Sequence, residues 1–150
     1  MKYCNYAIMN EIESTTLFDI DSYNADSSVN AGNIRKTMEL MAEAGVRDKI
    51  VIHCKDAGFC YDVKTKTFTA VPSLNIPKEL IKGSVGAGDA FCAGTLYGLY
   101  KGFDDKAILE FASAAAASNL FSENSVDGML RYEEILKLAD KYGRKEIELC

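Results

Sequence analysis

The sequence predicts an α/β fold on three observations. Tyr6-Ala7-Ile8-Met9 reads as a short buried strand. Lys49-Ile50-Val51-Ile52-His53 is a β-branched run after a helical pattern, as the next parallel strand of an α/β sheet would be. Gly83-Ser84-Val85-Gly86-Ala87-Gly88-Asp89-Ala90-Phe91 is a glycine turn that runs straight into an apolar segment, residues 92–100, the layout of a turn opening a helix.

The chain of 150 residues, 48% hydrophobic and 26% charged, has the size and composition of one globular domain, residues 1–150. A formal net charge of −5 lacks the basic field that nucleic acid or an anionic membrane requires, so neither is an expected partner. The first residues carry no apolar signal-peptide core and no run reaches membrane-spanning length, so a cytoplasmic location is expected. Five cysteines, an odd number with no C-x-x-C pair, favour neither a disulfide framework nor a zinc site, and Cys4, Cys54, Cys60, Cys92 and Cys150 are expected as reduced thiols.

After the first strand, Asn10-Glu11-Ile12-Glu13 has the spacing of a capping box, in which Asn caps a helix and Glu reaches back. The same four residues at a strand end can instead offer an amide oxygen and a carboxylate to a hydrated magnesium ion. Residues 19–24 resemble a calcium loop only superficially, because Tyr23 and Asn24 replace a ligand and the turn glycine, and they read as an acidic loop. Ser27 or Ser28 is the expected cap of a helix in which Ile34, Met38 and Met41 recur on one face. Beyond the second strand, residues 53–58 form a candidate ligand loop, since ligands gather at the carboxyl ends of strands in open α/β sheets. His53 there is either a hydrogen-bonded structural side chain or a ligand contact. Residues 59–63 and 67–71 read as a hairpin. Residues 90–100 read as a buried helix, and Asp104 caps a further helix over residues 106–121 whose Ala112–Ala117 stretch allows close packing against a neighbour or a flat ligand. A final amphipathic helix spans residues 132–142.

The glycine stretch carries the chemistry. Position 91 is Phe where a P-loop or a dinucleotide fingerprint would need a lysine-bearing or glycine continuation, so both motifs are absent. What remains is a turn that delivers backbone N–H groups at a helix N-terminus, a ready anion site. The helix dipole favours a negative charge at Asp89. Asp89 is either a helix cap or a base working beside bound phosphate, a combination that suits phosphoryl transfer.

Residues Ser84-Val85-Gly86-Ala87-Gly88-Asp89-Ala90-Phe91, followed by Ala93-Gly94, resemble the C-terminal signature of the ribokinase-like, PfkB-type carbohydrate kinases. Asn10-x-x-Glu13, the strand and loop over residues 51–58 with Tyr61-Asp62, and the alanine-rich segment over residues 111–117 resemble further family elements in the same order. The resemblance implies a ribokinase-like three-layer fold of which this chain is the C-terminal, nucleotide-binding half, with the sugar-binding half and lid absent. It implies ATP- and Mg2+-dependent phosphorylation of a sugar or sugar-like alcohol, with Asp89 as general base and Gly86, Ala87 and Gly88 as the anion hole. By the same resemblance Asn10 and Glu13 serve Mg-phosphate, His53, Lys55 and Gly58 line the nucleotide, Gly88 meets its phosphate, and Ser113 lies near its base. Three departures accompany it. Gly83 replaces an acidic or amide residue that helps hold a monovalent cation, Lys55 replaces a glycine, and Ser113 replaces a frequent Asn. Members of that family are about twice as long, so the expected partner besides a small-molecule sugar is a missing N-terminal half or a second copy of the chain. The rival reading is a non-catalytic nucleotide-binding or assembly module, or a degenerate remnant of such a kinase.

Overall fold

A computed structural model describes residues 1–149, so Cys150 lies outside the described residues. The chain forms two compact units, Met1–Val71 with residues 147–149, and Pro72–Glu146.

The first unit is built on a sheet of order β1-β2-β3-β4: β1 (Tyr6–Asn10), β2 (Lys49–His53), β3 (Ala57–Asp62) and β4 (Thr67–Pro72). β1 and β2 are parallel, and β2 and β3 antiparallel. Helices α1 (Glu11–Phe18) and α2 (Ala31–Glu43) connect β1 to β2. The crossover explains the sequence pattern, because Ile50, Val51 and Ile52 are all buried and β2 therefore has no solvent face to alternate with. Ile34, Met38 and Met41 are fully buried in one cluster with Ile50, Ile52 and Phe59. Burial of side chains of this size stabilises by about 1.5–3 kcal/mol each. Phe59 and Phe68 stack across the hairpin at 5.9 Å. Its turn is organised by Asp62, whose Oδ1 accepts from the Lys64 and Thr65 N–H groups at 2.9 Å and whose other oxygen pairs with Lys49.

The strands and hairpin lie where the sequence predicts them, but the cap of α2 does not. Asn30 is the cap, its Oδ1 accepting from the Asn33 N–H at 2.9 Å. Ser28 is engaged with Asp26 through both its N–H and its hydroxyl, and Ser27 adopts a left-handed φ of 66°. Cys4, Cys54, Cys60 and Cys92 are free thiols, as expected.

The second unit contains α3 (Ala87–Lys101), α4 (Asp105–Asn119) and α5 (Tyr132–Tyr142). Asp104 caps α4 by accepting from the Ala107 N–H at 2.8 Å. Two glycines let α3 lie close on α4: a Cβ at Gly94 would fall 2.8 Å from the Ala112 Cα, and one at Gly98 would fall 3.0 Å from the Ile108 side chain. The small residues of α4 thus serve close helix packing. Phe111, Ala114, Ala115 and Ala117 form a core with Ile135 and Leu138 of α5 and with Leu74 and Ile76. The expectation of a helix buried all round over residues 90–100 fails on one face. Leu96 is 52% and Tyr100 84% exposed within this chain. No helix among the described residues is long and apolar enough to cross a membrane.

Candidate active site

Three of the sequence-predicted residues share one row of the first unit's sheet. The β-register places Asn10 opposite His53 and His53 opposite Gly58, so the ends of β1 and β2 and the start of β3 come level. Lys55 lies exposed in the loop that joins β2 to β3. Gly58 is buried within β3.

Asn10 and Glu13 form the capping box that their spacing predicts. The Glu13 N–H donates to Asn10 Oδ1 at 2.8 Å, and the Asn10 N–H donates to Glu13 Oε2 at 2.9 Å. Asn10 Nδ2 and Glu13 Oε1 are not used by the cap. An amide donor suits a phosphate oxygen and a carboxylate oxygen suits a hard cation, so one geometry can serve both the structural and the ligand reading. Burial holds the His53 imidazole below its usual pKa, opposed by the charges of Glu11 and Glu13. A neutral ring near pH 7 offers hydrogen bonds rather than a cation.

Glu11 and Tyr23, which sequence reasoning passed over, join this region. The Tyr23 hydroxyl donates to Glu11 Oε1 at 2.8 Å, and burial together with that bond pushes its pKa up. No spacing rule links a helix-opening Glu to a Tyr in the loop beyond, so this pair had no sequence signal. Cys54 beside it is buried with its thiol pKa raised by that burial, which makes it inert rather than nucleophilic.

In the second unit the glycine stretch forms a β-turn that opens α3. The Ala87 N–H donates to the Ser84 carbonyl at 3.2 Å, and Gly86 has φ 81° and ψ −3°, the third position of a type II turn. Only glycine fits there, because a Cβ would fall 2.6 Å from Ser125 atoms in addition to the left-handed φ. The N–H groups of Gly86, Gly88 and Asp89 have no acceptor among the described residues, whereas that of Ala87 closes the turn. Asp89 is the third residue of α3, exposed and without a hydrogen bond to any described residue. No side-chain cap bond forms at the start of α3, and Asp89 lies in its first turn, where the helix dipole favours a negative charge. Its charge is felt by Cys92, whose thiol pKa is raised by burial first and by Asp89 second.

Two buried polar atoms of α4 lack partners among the described residues: Ser113 Oγ, in a residue 4% exposed, and Asn119 Oδ1. The Asn119 Nδ2 donates to the Val85 carbonyl at 2.8 Å. Asn119 was missed in the sequence because it ends an alanine-rich helix and belongs to no spacing pattern.

The first unit carries a mixed sheet with polar residues level at its strand ends, and the second a glycine turn with N–H groups beside a carboxylate, so the chain is an α/β protein. Residues 1–130 match the pfkB family of carbohydrate kinases, and the chain belongs to that family. A 5-dehydro-2-deoxygluconokinase of Clostridium tetani is 32% identical over 103 residues, covering 69% of this chain and 29% of the relative. Among solved structures, a ribokinase of Thermotoga maritima matches with a TM-score of 0.71 at 19% identity, over 93% of this chain and 43% of that one. A ribokinase of Arabidopsis thaliana, complexed with ribose and ATP, matches with a TM-score of 0.73 at 19% identity, over 89% and 40%. The fold is therefore ribokinase-like, and the chain spans under half the length of these relatives.

Proposed function

We propose that this chain supplies the ATP site and the catalytic base of a kinase that phosphorylates a hydroxyl of a sugar or sugar acid. The observation that supports the reading is Asp89, an exposed carboxylate one residue after Gly88 and three after Gly86, whose N–H groups have no acceptor among the described residues. Such N–H groups stabilise negative charge on a transferred phosphoryl group, and a free carboxylate beside them accepts a proton. In the proposed reaction Asp89 takes the proton of the acceptor hydroxyl, that oxygen forms a bond to the γ-phosphorus of ATP, and the bond from the γ-phosphorus to the bridging oxygen breaks to release ADP. The free N–H groups of Gly86 and Gly88 bind the phosphoryl oxygens, while the Ala87 N–H holds the turn.

The first unit contributes nucleotide contacts from His53, Lys55 and Gly58, with Asn10 Nδ2 donating to phosphate. Ser113, whose buried hydroxyl has no partner among the described residues, contributes a contact near the base. No cluster of three or more His, Cys, Asp and Glu side chains able to hold a metal occurs among the described residues. The Glu13 carboxylate, with Oε1 outside the cap, fits a Mg2+ held mainly by phosphates and water. When bound there it would neutralise charge on the phosphates.

The names of the curated relatives make an oxidised deoxy sugar acid the first acceptor class to test. The exposed Leu96 and Tyr100 support the further proposal that another protein surface, either a preceding half of the chain or a second copy, completes the enzyme. The proposed setting is the cytoplasm, where its thiols stay reduced. The test is ATP consumption by the completed enzyme with a panel of sugars and sugar acids, for wild type and Asp89→Asn. We expect turnover to fall by about 10²–10⁴-fold in the variant with nucleotide affinity retained. Equal turnover would remove Asp89 from the role of base, and ATP binding without turnover on every acceptor would favour a binding module instead.

A further inference from the structure

The buried Asn119 side chain has an unusual balance of hydrogen bonds. Its residue is 1% exposed, its Nδ2 donates across 34 residues of sequence to the Val85 carbonyl at 2.8 Å, and its Oδ1 has no partner. A buried acceptor left unsatisfied is unfavourable, so an apolar side chain would suit this helix end better if packing were the only demand. The donor end is what the position gains. It cannot be exchanged with the acceptor end, because a carbonyl oxygen facing the Val85 carbonyl would repel it.

Val85 and Gly86 are the two central residues of the turn from Ser84 to Ala87. The peptide between them is the one that flips when a type II turn becomes type I. It is trans, so its carbonyl and its N–H point in opposite directions. Drawing the Val85 carbonyl onto Asn119 therefore aims the Gly86 N–H away from Asn119. That N–H is one of the three without an acceptor among the described residues. The remaining support is steric: Gly128 brings its backbone onto Asn119, where a Cβ would fall 2.8 Å from the Asn119 Cα, and Ser125 of the same loop presses on Gly86.

We infer that Asn119 is a positioning residue for the anion site: its side-chain amide locks the Val85–Gly86 peptide in the orientation that presents the Gly86 N–H to phosphate. The inference rests on the kinase reading for the identity of the ligand, but not for the lock itself. Asn119 touches no substrate and acts only through the turn.

The test uses the isotopically labelled chain with Asn119→Ala, Asn119→Asp and, as a control, Ser118→Ala. The control removes the neighbouring buried bond from Ser118 Oγ to the Ala115 carbonyl without touching Val85. Order parameters of the Gly86 and Gly88 amides are measured without nucleotide, and Mg-ATP affinity is measured by calorimetry. In wild type and Ser118→Ala we expect order parameters of about 0.85 at both glycines, falling below about 0.6 in Asn119→Ala. Asn119→Asp, whose carboxylate has no donor for Val85, should shift the Gly86 amide resonance as well. Affinity for Mg-ATP should drop at least about 10-fold in both Asn119 variants and less than about 2-fold in the control, a difference of about 1.4 kcal/mol for each factor of ten. Unchanged order and resonance in both Asn119 variants, or equal loosening in the control, would overturn the lock. Loosening without loss of affinity would overturn its link to phosphate. If wild type binds no Mg-ATP, the kinase reading fails while the order parameters still decide the lock.

Discussion

Asn10 and Glu13 hold one another through two bonds, each side chain accepting from the other's backbone N–H at 2.8 and 2.9 Å. The pair closes the end of β1 into α1 and leaves one carboxylate oxygen of Glu13 outside the cap. Glu13→Gln keeps both bonds and removes the charge, so the helix should persist while the Mg2+ dependence of nucleotide binding weakens by about 10–100-fold. Asn10→Ala should lower stability by about 1 kcal/mol through loss of the cap. Denaturant unfolding and calorimetry at varied Mg2+ separate the two effects. An unaltered Mg2+ dependence in Glu13→Gln would leave the residue as a cap alone.

Gly86→Ala should damage both fold and anion binding. The added Cβ meets Ser125 at 2.6 Å and the backbone stays at a φ of 81°, a conformation that strains a non-glycine residue by about 1–3 kcal/mol. Gly102 provides the contrast: its φ is 71° and a Cβ there meets nothing within 4 Å, so Gly102→Ala should show the backbone penalty alone. Thermal unfolding of the two variants gives the difference directly, and equal losses would mean that the Ser125 contact yields.

Gly94→Ala and Gly98→Ala should differ in sign or size. Each gains about 0.8–1 kcal/mol of helix propensity. At Gly94 the new Cβ lies 2.8 Å from a backbone atom of Ala112, which can move only if α3 and α4 separate. At Gly98 the nearest atom is Ile108 Cγ1 at 3.0 Å, with the Ile108 Cα at 3.3 Å, so a smaller displacement relieves the contact. We expect Gly94→Ala to lower the Tm clearly and Gly98→Ala to leave it within a few degrees, or about 1 kcal/mol.

Asp62 sets an acid-stability window. Burial raises its pKa, but the Lys49 partner and the Thr65 and Lys64 N–H groups outweigh burial and bring it from 3.8 down to about 2. A folded-state pKa below the unfolded one means that the contribution is fully present above the unfolded value and is lost as pH falls through the folded value. Wild type should therefore lose stability between about pH 4 and about pH 2, and Asp62→Asn should be less stable at pH 7 with a flatter acid limb. Parallel slopes over that window would show that Asp62 is not the group responsible.

The strands, the hairpin and the last helix were legible because their signals are local: a β-branched run, a pair of short strands around Lys64-Thr65-Lys66, and one apolar stripe over Tyr132–Tyr142. The Asn10–Glu13 box was legible for the same reason, since both partners lie within one turn. The cap of α2 was misplaced because Ser28, a good cap by type, is held by Asp26 two residues earlier. The exposed face of α3 could not be read from composition, because Leu96 and Tyr100 look like core residues until the packing partners of the helix are known. Glu11 with Tyr23, and Asn119 with Val85, depend on chain segments 12 and 34 residues apart, where no periodicity reports a contact.

The close seating of α3 on α4 at Gly94 has a mechanical consequence for Asp89. The carboxylate stands on the first turn of a helix whose backbone is pressed against another, so in the proposed reaction the proton acceptor is mounted on a stiff lever rather than on a swinging loop. Its reach is limited to rotation about its own side-chain bonds. The approach that shortens the distance to an acceptor hydroxyl must then come from the substrate and whatever carries it, which makes alignment, more than mobility of the base, the step on which turnover depends.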